Sequence, residues 1–231
     1  MYCMARWALI LAGIFLNPLH FPRLPNVIKF FLIKINVAEV NKLSLVILAA
    51  GESKRFGKAK QLAEIDGSFM LQRVIDQCSE IEGVDAYVVL GARSEQIQHK
   101  INFENVSVLY SPNWSEGIGA TLASVTTELS ELYEGLMFVA GDQPLLGAAQ
   151  LKPMITSWLE NTNSICCAQY DNTIGIPAIF PKKLFAGLMT LRGDSGAKGI
   201  LLNAASELQT FFMPEAKIDI DYPDDLKKLR V

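Results

Sequence analysis

The residues of this chain best suited to chemistry lie in one short segment, Leu48 to Leu62. Its sequence is Leu-Ala-Ala-Gly-Glu-Ser-Lys-Arg-Phe-Gly-Lys-Ala-Lys-Gln-Leu. The apolar residues that precede it predict a buried parallel strand, and ligands of open α/β sheets bind at the carboxyl ends of such strands. The part that follows the strand, here called the Gly51 loop (residues 49–60), carries one hydroxyl and four cations: Ser53, Lys54, Arg55, Lys58 and Lys60. Because turn amides and cations both hold phosphate oxygens, the segment predicts a triphosphate site.

A basic cluster can also be a solvated loop face. The position after an apolar strand favours the phosphate site instead, but it is neither of two familiar phosphate motifs. A Walker loop has four residues between its glycines, whereas five separate Gly51 from Gly57. A dinucleotide fingerprint needs a third glycine where Leu122 stands.

A carboxylate follows a second apolar strand, in the sequence Gly-Asp-Gln-Pro at residues 141–144. Because neighbouring parallel strands end at the same crevice, Asp142 is expected to face the Gly51 loop. Mg²⁺ is typically held by one or two carboxylates together with substrate phosphates and water. The alternative is that Asp142 caps the turn before Pro144. The nearby phosphate loop favours the metal ligand.

Short apolar strands alternate with helical patterns from Leu43 onward, which predicts a βαβ architecture. The predicted strands are residues 45–48, 86–90, 106–109, 136–140, 165–168 and 210–213. One helix is predicted to be capped by Ser68 and to bury residues at helical spacing, namely Leu71, Val74, Ile75 and Cys78. Another carries one apolar stripe, namely Leu122, Val125, Leu129 and Leu132.

The composition is that of a compact enzyme domain. The 231 residues are 50% hydrophobic and 19% charged, which excludes a disordered chain and suits one α/β domain. A net charge of -3 gives no overall attraction to nucleic acid, so polynucleotide binding is not expected. The four cysteines lack metal-ligand spacing and are interpreted as reduced packing residues, which suits the cytoplasm.

Residues 1–42 are expected to form an apolar extension outside the catalytic fold, which occupies residues 43–231. Trp7 to Leu16 is uncharged and apolar but too short for a spanning helix, which needs about 20 residues. The alternative is a signal peptide, yet Arg6 is the whole of its basic region and no Ala-x-Ala-like site follows. A membrane contact of this extension is neither predicted nor excluded.

Four further segments follow the Leu48–Leu62 segment in a recognisable order. They are residues 113–119 (Asn-Trp-Ser-Glu-Gly-Ile-Gly), 141–144, 192–197 (Arg-Gly-Asp-Ser-Gly-Ala) and 219–226 (Asp-Ile-Asp-Tyr-Pro-Asp-Asp-Leu). Together the five resemble the MobA-like nucleotidyltransferases, with the closest likeness to the molybdenum cofactor cytidylyltransferases, from about Leu43 to the C-terminus. The resemblance implies a Rossmann-like three-layer α/β/α sandwich with a mostly parallel sheet, of the nucleotide-diphospho-sugar transferase type.

The resemblance further implies Mg²⁺-dependent transfer of CMP from CTP to the terminal phosphate of molybdenum-bearing molybdopterin, with release of pyrophosphate. No covalent nucleophile is recognisable, and none is needed when the acceptor phosphate attacks the α-phosphorus in line. CTP is favoured over GTP because Ala50 stands where guanylyl relatives commonly carry glycine. An acceptor molybdoenzyme is a further partner consistent with this reading. Ile176 and Tyr222 depart from the family's usual His and Thr, which weakens the prediction of the acceptor.

Site residues follow from these segments. The catalytic residues are Arg55, Lys60 and Asp142. The nucleotide-binding residues are Leu48, Ala49, Ala50, Gly51, Ser53, Arg55, Lys60, Ser115, Glu116 and Gly117. Gly119 and Asp194 are placed at the acceptor, and Asp142 and Asp221 at the metal. Asp221 could instead cap the helix after Pro223, and Asp194 could cap a helix over residues 197–202.

Two other functions remain on the same residues. One is nucleotidyl transfer to a sugar phosphate or another small phosphate ester. The other is a nucleotide- or cofactor-binding accessory protein without turnover, which the presence of Asp142 and Lys60 disfavours.

Overall fold

A seven-stranded sheet is the frame of the structure, a computed structural model that describes residues 43–229. The strand order is β5-β4-β1-β6-β8-β7-β9, and β8 alone runs antiparallel to its neighbours. These strands are β1 Leu43–Leu48, β4 Asp85–Leu90, β5 Ser107–Tyr110, β6 Gly135–Ala140, β7 Ile165–Tyr170, β8 Thr173–Pro181 and β9 Leu208–Phe212. A separate small hairpin pairs β2 Glu64–Ile65 with β3 Ser68–Phe69. The mostly parallel sheet confirms the predicted fold class.

Helices cover both faces of the sheet. They are α1 Met70–Ser79, α2 Ser94–Gln98, α3 Ile118–Leu129, α4 Ala148–Glu160, α5 Phe185–Met189 and α6 Lys198–Asn203. Alternation along β1 divides the core, because successive strand side chains point to opposite faces. Leu45 and Ile47 pack in one cluster with α1 and α4, while Val46 packs in a second with α3, α5 and α6. Two apolar layers on one sheet give the three-layer α/β/α arrangement.

One strand of the sheet was missed by the sequence analysis. β8 contains Gly175 and Pro177, and proline cannot donate to a strand ladder. A shift of register between Cys167 and Ala168 of β7 lets the ladder skip residues 176 and 177 of β8. This bulge removes the conflict that a proline would otherwise create inside a sheet.

The predicted Ser68 cap is wrong, whereas the helix itself is confirmed. Asp66 and Gly67 have positive φ angles of 51° and 81°, as a two-residue hairpin turn requires. The turn draws Ser68 into β3, opposite Ile65, and α1 begins at Met70. The predicted apolar stripe of α1 is fully buried. In α3 the stripe ends at Leu129, and Leu132 lies beyond the helix and is exposed.

The predicted extension at residues 1–42 lies outside the described residues and stays a prediction. Within residues 43–229, no helix combines the length and the apolar character needed to cross a bilayer. Cys78, Cys166 and Cys167 are buried and free of disulfides, as expected of packing residues.

Candidate active site

A cavity of about 730 Å³ opens where β1 and β6 end, which is within the size range of small-molecule sites. The two strands pair in parallel, with Leu48 opposite Ala140. The Gly141 N–H donates to the Leu48 carbonyl at 3.0 Å, so the Gly51 loop and Asp142 start side by side. The parallel register therefore positions a phosphate-binding loop and a carboxylate at one opening.

A chain of ion pairs crosses this cavity. The Lys60 ammonium donates to Asp142 Oδ2 at 2.6 Å and to Asp221 Oδ1 at 2.8 Å. Arg55 Nη1 donates to the other oxygen of Asp221 at 2.7 Å. The Lys60 side chain is 15% exposed and that of Asp142 is 23% exposed, so solvent screens this pair less than a surface pair. The cations predicted for the triphosphate are thus paired with the carboxylates predicted for the metal.

The protonation of these groups follows from their surroundings. Burial alone lowers the pKa of Lys60, but Asp142 and Asp221 raise it above its ordinary value, so the amine stays charged. Burial raises the pKa of Asp142, and the Lys60 ammonium opposes this. The hydrogen bond from Lys60, supported by Arg55, holds the pKa of Asp221 below its usual value despite partial burial.

The backbone of the Gly51 loop is fixed through its carbonyl groups. The Ala50 oxygen accepts from the Ala92 N–H at 3.0 Å. The Ala49 and Gly51 oxygens accept from the Gln61 amide at 2.9 and 3.1 Å. Within residues 43–229, the N–H groups of residues 50–53 donate to no carbonyl and no side chain. The loop therefore offers amides rather than carbonyls to a ligand, as anion-binding turns do.

The segment that carries Asp221 is docked beside Asp142. The Ile220 N–H donates to the Asp142 carbonyl at 3.1 Å, and the Ile220 side chain is fully buried. Asp225 then accepts from the N–H groups of Asp221 and Tyr222 at 3.0 and 2.7 Å. An ion pair with Lys228, together with these bonds, lowers the pKa of Asp225 to about 2. The capping role considered for Asp221 thus belongs to Asp225, which leaves the Asp221 carboxylate free to face the cavity.

Replacing Asp225 with alanine should lower turnover about three- to tenfold, because two hydrogen bonds that orient Asp221 are lost. Asp224→Ala is the matched control, since Asp224 is 85% exposed and, among residues 43–229, forms an ion pair only with Lys227. Steady-state rates of the two variants provide the comparison. Equal rates for the two variants would show that Asp225 does not orient the site.

Two distant segments predicted for the site meet at its rim. The Gly119 N–H donates to the Gly193 carbonyl at 2.8 Å. Gly117 has a φ of 110°, and a Cβ built on it would lie 2.4 Å from the Gly193 oxygen and 2.6 Å from Asp194 Oδ1. α6 starts at Lys198 with Ala197 as its cap residue, so Asp194 is not that helix's cap and lines the cavity instead.

Gly117→Ala should lower the free energy of unfolding by about 1–3 kcal/mol, because the methyl group meets backbone and the φ angle suits only glycine. Gly199→Ala is the control: it lies in α6 with open space around its Cα, so stability should hold or rise slightly. Denaturant unfolding measures both. A Gly117→Ala protein as stable as the wild type would contradict the close approach of the two segments.

Most of the predicted site residues line the cavity. They are Leu48, Ala49, Ala50, Gly51, Ser53, Arg55, Lys60, Ser115, Gly117, Asp142, Asp194 and Asp221. Two do not. Glu116 lines a separate groove beside Arg192, and Gly119 is packed against the carbonyl of Ser195.

Sequence reasoning missed several residues at this site. Tyr170 lines the cavity from β7 and was overlooked because the predicted strand ended at residue 168, and Ile176, noted only as a departure from the family's usual His, lines it from β8. Gln61 was noted in the motif without a role. No sequence signal assigned it one, because its burial beneath the loop is visible only in the folded structure.

The donor set fits a divalent cation. One oxygen of Asp142 and one of Asp221 converge on the Lys60 ammonium, so a single cation position satisfies both carboxylates. Within the described residues no group of three or more His, Cys, Asp or Glu side chains forms a metal cage. Two carboxylates completed by phosphates and water are the typical surroundings of Mg²⁺.

Residues 45–208 match the family described as the MobA-like NTP transferase domain. The chain belongs to this family of nucleotidyltransferases. Among characterised relatives of this MobA-like protein, the bifunctional protein GlmU of Trichodesmium erythraeum is 28% identical over 151 residues. That match covers 60% of this chain and 32% of GlmU, so the chain spans about a third of that relative's length.

Solved structures share the fold of this MobA-like chain. Rv0371c of Mycobacterium tuberculosis has a TM-score of 0.71 and 23% identity, over 81% of this chain and 96% of that one. The same protein was also solved as a complex with manganese. CMP:2-keto-3-deoxy-manno-octonic acid synthetase with CTP has a TM-score of 0.64 and 15% identity, over 82% and 97% of the chains. Molybdopterin-guanine dinucleotide biosynthesis protein A of Archaeoglobus fulgidus has a TM-score of 0.59 and 14% identity, over 80% of this chain and 95% of that one.

Proposed function

We propose that this MobA-like protein transfers CMP from CTP to the terminal phosphate of the molybdenum-molybdopterin cofactor, releasing pyrophosphate in a Mg²⁺-dependent reaction. The observation that carries the proposal is the meeting of Lys60 and Arg55 with Asp142 and Asp221 in one cavity. Phosphoryl transfer needs this combination, since its catalysis consists of positioning and charge neutralisation.

The residues divide the work by charge. Arg55 and Lys60 bind the triphosphate and stabilise the departing pyrophosphate, and the free amides of residues 50–53 hold further phosphate oxygens. Asp142 and Asp221 hold Mg²⁺. When bound there, the metal would offset the negative charge of the transition state. Within residues 43–229, His99 and the three buried cysteines lie outside the cavity lining, which agrees with direct attack by the acceptor phosphate.

The choice of CTP rests on Ala50. Ala50 is 5% exposed, and its carbonyl accepts a hydrogen bond from the Ala92 N–H. Its side chain lies in the core cluster on the α3 side of the sheet. A methyl group at this position narrows the space for a base by an amount worth about 1–3 kcal/mol of discrimination. The synthetase of similar fold that was solved with CTP supports this choice.

We assign to the acceptor four residues that line the cavity, Tyr170, Ile176, Asp194 and Asp219. These residues bring hydroxyl and carboxylate acceptors and no cation, which suits an acceptor body rich in N–H or O–H donors. A pterin and a sugar both qualify. Sugar-phosphate transfer is therefore the second candidate, favoured by these hydroxyl and carboxylate groups in the lining.

Pyrophosphate release separates these functions. Purified full-length protein is incubated with Mg²⁺, each of the four NTPs in turn, and either molybdopterin or a panel of sugar phosphates. The proposal expects release with CTP and molybdopterin alone. Release with a sugar phosphate would establish the second candidate, and binding of CTP without release under any condition would identify an accessory protein.

The predicted acceptor molybdoenzyme and the cytoplasmic location stay predictions. A pull-down of the protein from cells expressing a tagged copy, with the molybdoenzymes of the host scored in the eluate, tests the partner.

A further inference from the structure

Gln61 is a buried polar residue beneath the Gly51 loop, and the proposed mechanism gives it no role. Only 4% of the residue is exposed. Its amide nitrogen donates to the Ala49 carbonyl at 2.9 Å and to the Gly51 carbonyl at 3.1 Å. Its amide oxygen accepts from the Ser53 hydroxyl at 3.2 Å. One side chain thus engages three residues of the loop.

These bonds determine which backbone groups face the ligand. With the Ala49, Ala50 and Gly51 carbonyls all occupied by protein donors, no free oxygen from this stretch is directed at the phosphates. A free carbonyl there would repel an anion, whereas a run of amides attracts one. The orientation is also strained, since Ser53 has a φ of 62° and a ψ of 39°, where non-glycine residues are uncommon. A strained loop keeps such a shape only when its surroundings hold it there.

We propose that Gln61 is the positioning residue of the triphosphate site: by holding the carbonyls of Ala49 and Gly51, it turns the N–H groups of the same two peptide units, those of Ala50 and Glu52, toward the phosphate oxygens. The inference rests on the proposed function, since it presumes that a triphosphate binds the Gly51 loop. Gln61 is among the residues that line the cavity, and it acts through the backbone, since its amide group is bonded to two loop carbonyls and to the Ser53 hydroxyl.

The neighbouring residue shows why this position is effective. Lys60 and Gln61 belong to the same short 3₁₀ turn, Lys60–Leu62. Lys60 extends into the cavity toward the carboxylates, and Gln61 extends beneath the loop. The turn therefore fixes the distance between the phosphate-binding cation and the phosphate-binding amides.

Gln61→Met tests the proposal, because methionine keeps the length and volume of the side chain but donates no hydrogen bond. Gln72→Met is the matched control. Gln72 also braces a distant loop, with its oxygen accepting from the Asn102 N–H at 2.7 Å and its nitrogen donating to the Asn102 carbonyl at 3.2 Å, and it does not line the cavity. Calorimetric titration with inorganic tripolyphosphate measures binding to the loop without base or acceptor, and steady-state kinetics give KM and kcat.

We expect Gln61→Met to weaken tripolyphosphate binding about tenfold and to raise the KM for the NTP, with the KM for the acceptor unchanged. Gln72→Met should change the melting temperature at most. Its affinity for tripolyphosphate and its KM for the NTP should equal those of the wild type. If Gln61→Met binds tripolyphosphate as the wild type does, or if both variants lose binding equally, Gln61 is a structural residue only. A wild-type protein that binds no tripolyphosphate would instead overturn the proposed function.

Should Gln61→Met fail to fold, Gln61→Asn takes its place, with Gln72→Asn as its control. Asparagine keeps a buried amide but is one methylene shorter, so it cannot reach both carbonyls. A loss of tripolyphosphate binding confined to Gln61→Asn supports the proposal, and unchanged binding overturns it.

Discussion

Asp142→Ala should lower turnover by at least ~10²-fold, the cost expected for losing a preorganised electrostatic contact in an active site. Asp142 is the carboxylate that follows β6, and it lies 2.6 Å from the Lys60 ammonium in the ion-pair chain. Its removal takes away one of the two proposed metal ligands and one of the two carboxylate partners of Lys60. Steady-state rates with CTP and acceptor across a Mg²⁺ titration measure the effect.

Asp142→Asn separates charge from packing in this experiment. Asparagine has the same shape but lacks the negative charge, so a loss as large as that of alanine identifies the charge as the cause. Asp76→Ala, on the exposed face of α1, is the control that should keep full activity. Unchanged turnover in Asp142→Ala would contradict the metal assignment.

Lys60→Met should strengthen the binding of Mn²⁺ in the absence of nucleotide by about tenfold and should weaken the binding of CTP. Lys60 is the counter-ion of both proposed metal ligands, at 2.6 and 2.8 Å, so a metal ion must displace it or share its partners. Removing the ammonium leaves two carboxylates without that partner, which favours a divalent cation. The triphosphate of CTP should bind more weakly, because one of the protein cations proposed to hold it is gone.

Asp221→Asn is the reciprocal change. It removes the carboxylate partner of Arg55 and one of the two carboxylate partners of Lys60, so tripolyphosphate without metal should bind more tightly while Mn²⁺ binds less tightly. Lys227→Met is the control for the lysine variant, since Lys227 is 78% exposed, pairs with Asp224 and is not among the residues that line the cavity. Electron paramagnetic resonance measures the concentration of free Mn²⁺, and calorimetry measures the binding of tripolyphosphate.

The two variants test whether Lys60 and the metal ion compete for the same two carboxylates. In wild-type protein each ligand frees the partners of the other, so metal and nucleotide should bind with positive coupling, and this coupling should fall in Lys60→Met. Weaker Mn²⁺ binding in Lys60→Met would show that Lys60 supports the metal site rather than competing with it.

Prediction from the sequence succeeded where the signal was local. β1, β4 and β6 and the stripe of α1 follow from apolar runs and helical spacing, and the match to a mostly parallel sheet confirms them. It failed where a tertiary arrangement overrode the local signal. β8 was missed because Pro177 forbids a regular ladder, and the bulge between Cys167 and Ala168 that accommodates it is visible only when β7 is beside it.

The same division holds for the candidate site. A strand end followed by glycine and cations predicts a phosphate loop, and a carboxylate after the next strand predicts a metal ligand. The roles of Gln61 and Asp225 had no such signal, since a glutamine or an aspartate in a short turn is ordinary in sequence. These roles depend on hydrogen bonds to the backbone. Gln61 donates to the carbonyls of Ala49 and Gly51, and Asp225 accepts from the N–H of Asp221.

Local sequence patterns were enough to predict most of the strands and helices, the Gly51 loop, the carboxylates and the family resemblance. The tertiary structure decided which charges meet. Lys60 lies 82 residues from Asp142 and 161 from Asp221, yet both carboxylates are within hydrogen-bonding distance of its ammonium. Electrostatic attraction depends on distance and burial rather than on separation along the chain, so the pairing of phosphate cation with metal ligand arose only when parallel strands brought their ends together.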